Sequence, residues 1–169
     1  MKTLKNNIKI GLLEDDPFFA DVVKTFLEHE KGWKVKVYAA TTKIKKETEM
    51  PDIFVFDYMM AVDDVSSTSK KALNWMVTQY PEIPIIYFTN YKDMDTAIDL
   101  LKEGASDFLL KDENNLFELI ASIKDALSIR YLREKTENID TKMLTLFTRF
   151  AFVSGMLLTI GLLLLLFTE

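Results

Sequence analysis

Residues 51–60 read PDIFVFDYMM. The run Ile53-Phe54-Val55-Phe56 is apolar at every position and too short for an ordinary helix. It reads as a strand covered on both faces, as the central strands of parallel sheets are. It then ends on a carboxylate, Asp57. In open parallel sheets, ligands bind outside the carboxyl ends of the strands, where strand order reverses. An acid at that edge stands where chemistry is done.

Working outward, strand-like and helix-like segments alternate. IKIGLL (8–13) is a short apolar strand, and residues 17–31 follow with helical spacing, Pro17 in the first turn and Asp16 as N-cap. Gly32 ends that helix, and WKVKVYA (33–39) alternates like a strand wetted on one face. TTKIKKETE (41–49) reads as a short polar helix. Residues 58–70 form the longest loop, with Ser66, Ser67 or Thr68 capping a helix that runs to about Tyr80. IPIIYF (83–88) is a strand, 93–104 a helix closed by Gly104, SDFLL (106–110) a strand, and 115–132 an amphipathic helix. Strands alternating with helices imply a parallel sheet with helices on both faces, because parallel strands need crossovers.

Composition removes several function classes. From Met143 onward the only ionisable side chains are Arg149 and Glu169, so the formal charge of −5 resides in residues 1–142. An acidic domain without a basic stripe is a poor nucleic-acid surface, and no nucleic-acid partner is expected. The absence of Cys excludes disulfides, thiolate metal sites and a cysteine nucleophile. The single His, His29, reads as a surface residue rather than a zinc ligand, since zinc takes three or four protein ligands. MKTLKNN has no apolar run before Ile8 and is not a signal peptide.

The strand ends carry the candidate chemistry: Glu14 and Asp15 with Asp16 beside them, then Asp57, then Thr89-Asn90, then Lys111. If the strands at 8–13 and 52–56 are neighbours, three carboxylates converge, and each raises the cost of ionising the others. All-oxygen ligands of that kind favour a hard cation such as Mg²⁺. A lysine and a hydroxyl nearby suit the oxygens of a phosphoryl group, and Asp57 can then act as a nucleophile. Taken singly, an Asp after a strand is an ordinary turn residue and a Lys at a strand end is solvated. Their joint placement at four strand ends favours the functional reading.

The stretches LLEDDP (12–17), PDIFVFDYMM (51–60), IPIIYFTN (83–90) and GASDFLLKD (104–112) resemble the receiver domain of two-component response regulators, over roughly residues 7–130. The resemblance implies a flavodoxin-like, doubly wound five-stranded parallel sheet of order 2-1-3-4-5. It implies Asp57 as phosphoacceptor, and Mg²⁺ held by Glu14, Asp15, Asp57 and the backbone carbonyl of Met59. Lys111 matches the lysine on the phosphoryl oxygens, and Thr89 and Phe108 match the switch positions. Plain core packing is the competing reading of Phe108. The implied partner is a sensor histidine kinase or phosphotransfer protein. Mg²⁺-dependent self-phosphorylation from a phosphodonor, and self-dephosphorylation, are expected. The chain departs from the pattern at Ala61, where the family usually has Pro, and in the acidic Asp63 and Asp64. A further departure is Asn90, where a small residue is usual; Asp112 follows Lys111 in place of Pro, which argues against a cis peptide there.

Beyond the receiver (1–132), residues 133–142 read as a polar tether or an extension of the last helix, with Asp140 or Thr141 able to cap a new one. Phe150 to Phe167 is an uncharged run of 18 residues. At helical rise it spans ~27 Å, close to a bilayer core. Residues 143–167 are therefore expected to form a hydrophobic transmembrane helix. Lys135, Lys142 and Arg149, before the uncharged run Phe150–Phe167, place the receiver in the cytoplasm, at the inner (cytoplasmic) membrane of a bacterium. No room is found for a separate output domain. The expected function is a membrane-tethered single-domain response regulator that signals through a membrane-proximal protein. The alternative is a phosphorylation-independent, membrane-anchored adaptor of the same fold.

Overall fold

The computed structural model describes residues 7–59, 65–112 and 115–166, with side chains at 65–70, 157–158 and 161–166 outside the described set. The elements follow the alternation: β1 (Ile8–Leu13), α1 (Pro17–Glu28), β2 (Trp33–Tyr38), α2 (Thr41–Ile44), β3 (Ile53–Phe56), α3 (Val65–Gln79), β4 (Ile85–Thr89), α4 (Met94–Lys102), β5 (Asp107–Leu110) and α5 (Asn115–Leu166). The strands form one parallel sheet of order β2-β1-β3-β4-β5. Strand order reverses beside β1, so the crevice between the ends of β1 and β3 is the switch point of the sheet.

The two-residue period of the strands sorts the core into two layers. Ile10, Leu12, Ile53, Val55, Phe88 and Leu109 face one way, packed with Val23 and Leu27 of α1 and Leu119 and Ile123 of α5. Leu13, Phe54, Phe56, Ile85 and Tyr87 face the other, packed with Ile44 of α2, Leu73 and Met76 of α3 and Leu100 of α4. The apolar run IFVF thus feeds both layers, as a strand buried on both faces must. Gly11 sits opposite Phe54 across the β1–β3 ladder, and a Cβ there would lie 2.4 Å from the Phe54 ring. The bulky ring is accommodated because its neighbour has no side chain.

Several local expectations change. α1 stops at Glu28, and the chain passes through His29 before Gly32 takes a positive φ of 85°. α2 is only Thr41–Ile44, because Ile44 alone is buried in it and one apolar residue defines no helical face. α3 begins at Val65, ahead of the three hydroxyl residues expected to cap it. No new helix begins at Asp140 or Thr141: α5 runs unbroken through 133–142, so that segment is an extension rather than a tether. The Thr141 hydroxyl bonds back to the Glu137 carbonyl at 2.8 Å, the behaviour of a mid-helix threonine, not of an N-cap. His29 is exposed at the surface, as expected.

The chain divides into two compact units, Met1–Arg130 and Tyr131–Glu169. The transmembrane span expected over 143–167 finds no support in the structure: among the described residues, no helix is long and apolar enough to cross a membrane.

Candidate functional site

Parity places the site. Glu14 follows β1 on the side of Ile10 and Leu12, Asp57 follows β3 on the side of Ile53 and Val55, and Lys111 follows β5 on the side of Leu109. Each is one step beyond its strand, where the sheet's carboxyl edge opens. Backbone bonds hold these steps in line: Glu14 N–H donates to the Tyr38 carbonyl at 3.1 Å, Asp57 N–H to the Leu13 carbonyl at 2.9 Å, and Lys111 N–H to the Thr89 carbonyl at 2.8 Å.

Lys111 Nζ donates to Glu14 Oε2 at 2.5 Å and to Asp57 Oδ2 at 2.7 Å. The three side chains are nearly withdrawn from water, at 6%, 2% and 8% exposure. One ammonium therefore bridges two carboxylates. The remaining oxygens are held by backbone: Met59 N–H donates to Asp57 Oδ1 at 2.9 Å, and Asp16 N–H to Glu14 Oε1 at 3.2 Å. Burial pushes the Glu14 carboxyl above its ordinary range, and the Lys111 hydrogen bond and charge oppose that shift. Asp15 is exposed at the rim. Ligand oxygens of Glu14, Asp15 and Asp57 lie within 4.8 Å of one another. Three carboxylates with one buried lysine leave net negative charge, and an oxygen-only donor set fits a hard divalent cation such as Mg²⁺.

Asp16 caps α1 as expected, accepting from Phe18 N–H at 2.9 Å and Phe19 N–H at 3.3 Å. This turn brings the Phe19 ring beneath Lys111, with Nζ 4.4 Å from the ring centroid. The ring faces the cation and tilts against Phe88. Sequence reasoning did not single out Phe19. Its spacing three residues after a capping acid beside the acidic pair was the available signal.

Thr89 and Phe108 fall on the opposite parity, toward the second core layer. Thr89 is fully buried at the end of β4, and its hydroxyl accepts from Tyr91 N–H at 3.3 Å. Phe108 is partly buried, pairs in register with Tyr87 and packs on that layer. Tyr58, just past Asp57, is buried against Tyr87 and Tyr91, with ring centroids 6.1 and 5.0 Å away. The sequence-predicted residues thus gather into a charged group facing α1 and α5 and an aromatic and hydroxyl group on the other side. Met59 contributes a backbone N–H to the first group and an exposed side chain. Asn90 is exposed. Ala61, Asp63 and Asp64 lie outside the described residues. No cis peptide occurs among the described residues, in keeping with Asp112 after Lys111.

Residues 10–124 match the family model described as response regulator receiver domain. The chain belongs to the response regulator receiver domain family. Curated relatives of this receiver include the probable C4-dicarboxylate response regulator DctR of Halalkalibacterium halodurans, 31% identical over 107 residues, 62% of this chain and 45% of that protein. The transcriptional regulatory protein ZraR of Escherichia coli K12 is 32% identical over 119 residues, 66% of this chain and 25% of that protein. The match spans less than half the length of these relatives. Among solved structures, the signal receiver domain of a Luxo repressor protein from Vibrio parahaemolyticus superposes with a TM-score of 0.68 at 22% identity, covering 78% of this chain and 98% of that one. A CheY-like receiver domain protein from Methanospirillum hungatei gives 0.65 at 23% identity, covering 75% and 98%. These structural likenesses establish the fold. Receivers of this family are phosphorylated on an aspartate and bind Mg²⁺ at an acidic pocket, and this structure has an acidic cluster of Glu14, Asp15 and Asp57.

Proposed function

We propose that Asp57 accepts a phosphoryl group from the phosphohistidine of a sensor kinase or phosphotransfer protein. The observation that supports this most is the buried ammonium of Lys111, hydrogen-bonded to Asp57 Oδ2 and to Glu14 Oε2. A cation already aimed at the attacking carboxylate is placed to meet the oxygens of an incoming phosphoryl group. The Met59 N–H fixes the other Asp57 oxygen and leaves the carboxylate in one orientation. Glu14 and Asp15, with Asp57 and the Met59 carbonyl, would hold Mg²⁺. That ion supplies neutralisation of charge between the carboxylate and the phosphoryl oxygens.

In the transfer, an Asp57 oxygen forms a bond to phosphorus as the bond from phosphorus to the histidine nitrogen breaks, and the electron pair returns to the imidazole. Lys111 follows the new charge without leaving its position over Phe19. The Thr89 hydroxyl, buried next to the Tyr58–Tyr87–Tyr91 group, and Phe108 then bias two arrangements of the α4–β5–α5 side.

The test uses Mg²⁺ with beryllofluoride on the full chain, followed through the fluorescence of Trp75 and Trp33 or by NMR. A saturable, Mg²⁺-dependent change is expected. Asp57→Asn should abolish both this change and labelling by acetyl phosphate; label that persists on the variant sinks the assignment of Asp57. A chain that binds its partner equally well with and without the phosphoryl group would favour the adaptor reading.

For the uncharged run Phe150–Phe167 we propose attachment to the cytoplasmic membrane, with the receiver on the cytoplasmic side. The support is the amino-acid sequence alone: eighteen residues without charge, preceded by Lys135, Lys142 and Arg149. Retention of the chain in the membrane pellet after alkaline carbonate is the expected result. Release by carbonate or high salt without detergent overturns the reading.

A further inference from the structure

Helix α5 carries a second pattern after the receiver core ends. Leu132, Thr136, Ile139, Met143, Leu146, Phe150 and Val153 recur at alternating steps of four and three. That is the a/d pattern of a heptad, sustained over three repeats within one unbroken helix. Among the described residues of the unit Tyr131–Glu169 nothing covers it: Leu132 is 59% exposed, Ile139 51%, Leu146 63% and Phe150 75%. Between Arg133 and Lys142 every residue off the seam is charged or polar, so the stripe is narrow there, whereas from Leu144 onward apolar residues such as Phe147 and Phe152 flank it. A narrow a/d stripe suits a helical partner of the same periodicity rather than a flat apolar surface.

We infer that this seam pairs with the same seam of a second copy of the chain, as a parallel two-stranded coiled coil over about Leu132–Val153. Charge decides the occupant and the direction. With Thr136 and Met143 at a and Leu132, Ile139 and Leu146 at d, Lys135 falls at g and Asp140 at the following e. In a parallel, in-register pair, g of one helix meets the next e of the other, so Lys135 meets Asp140 of the second copy, twice by symmetry.

The absence of cysteine makes the test direct, because each introduced thiol is the only one in the chain. In the purified full chain in detergent micelles, Leu132→Cys, Ile139→Cys and Leu146→Cys should each form disulfide dimers on mild oxidation. Glu134→Cys and Thr141→Cys, on the outer face, should do so at least fivefold more slowly. Cross-linking at both ends of the seam is incompatible with an antiparallel pair, which aligns like positions at one point only. Lys135→Glu should weaken the dimer two- to fourfold by sedimentation, and Lys135→Glu with Asp140→Lys should restore it. Equal cross-linking on all faces, none at the seam, or a monomer by sedimentation overturns the proposal. A chain that enters phosphatidylethanolamine–phosphatidylglycerol vesicles without seam cross-links also overturns it, since lipid then covers the stripe. None of these variants touches Asp57 or Lys111, so the outcome is independent of phosphorylation.

Discussion

The receiver unit and the helix beyond Arg130 solve the same problem in different ways. In the receiver, consecutive apolar residues such as Phe54 and Val55 go to opposite faces of one sheet, and each face is covered by helices of the same chain. From Tyr131 to Met156 every residue is exposed, apolar ones included. In the receiver, strand faces of period two and helix faces of helical period close a core against one another. The stripe beyond Arg130 has no such cover among the described residues, which teaches that apolar periodicity marks a face to be buried and not what buries it.

The comparison breaks most sharply at Phe54. Phe54→Ala should remove about 3–5 kcal/mol from the receiver, read by denaturant unfolding of its tertiary signal. Seam cross-linking through Ile139→Cys should survive in that background; loss of both together would show that the two regions fold as one. Gly11→Ala places a methyl against the same ring. It should cost about 1–3 kcal/mol, and the cost should shrink when combined with Phe54→Leu, as a double-mutant cycle would report. Asp16→Ala removes the side-chain cap of α1 and should cost about 1 kcal/mol in the same unfolding measurement.

The smallest effect is a pH dependence at Glu14. Burial holds its carboxyl pKa above its ordinary value of 4.5. The native state therefore keeps that proton after the unfolded chain has lost it. Through this group, stability falls as pH rises from about 4.5 to the raised native pKa and is level above it. Glu14→Gln should flatten that part of the metal-free profile. In the unaltered chain, Mg²⁺ binding should be lost as pH falls through the same raised value, because the ion competes with the proton. A Glu14→Gln profile parallel to that of the unaltered chain would refute the assignment.

The strands and the acids and lysine at their ends were legible because short apolar runs and their flanking turns obey a strict period, whereas the strand order that gathers Glu14, Asp57 and Lys111 came only with the resemblance to receiver domains. The Asp16 cap was legible because capping is local chemistry. The span of α2 was not: TTKIKKETE has one apolar residue to bury, and propensity alone did not carry a helix past Ile44. The continuity of α5 was only half legible, since Asp140 and Thr141 serve equally as caps or as helix interior when no Gly or Pro intervenes. The place of Phe19 under Lys111 depends on how α1 meets β5, a tertiary fact that no local pattern carries.

The threonines of the long helix carry one last consequence. Thr136 and Thr145 donate to carbonyls four residues back, and Thr148 and Thr159 to carbonyls three back, at 2.8–3.0 Å. Each hydroxyl spends its proton on its own backbone. These threonines can trade water for a partner helix or for hydrocarbon without stranding a donor. At those four positions the surroundings can change while the hydroxyl stays satisfied.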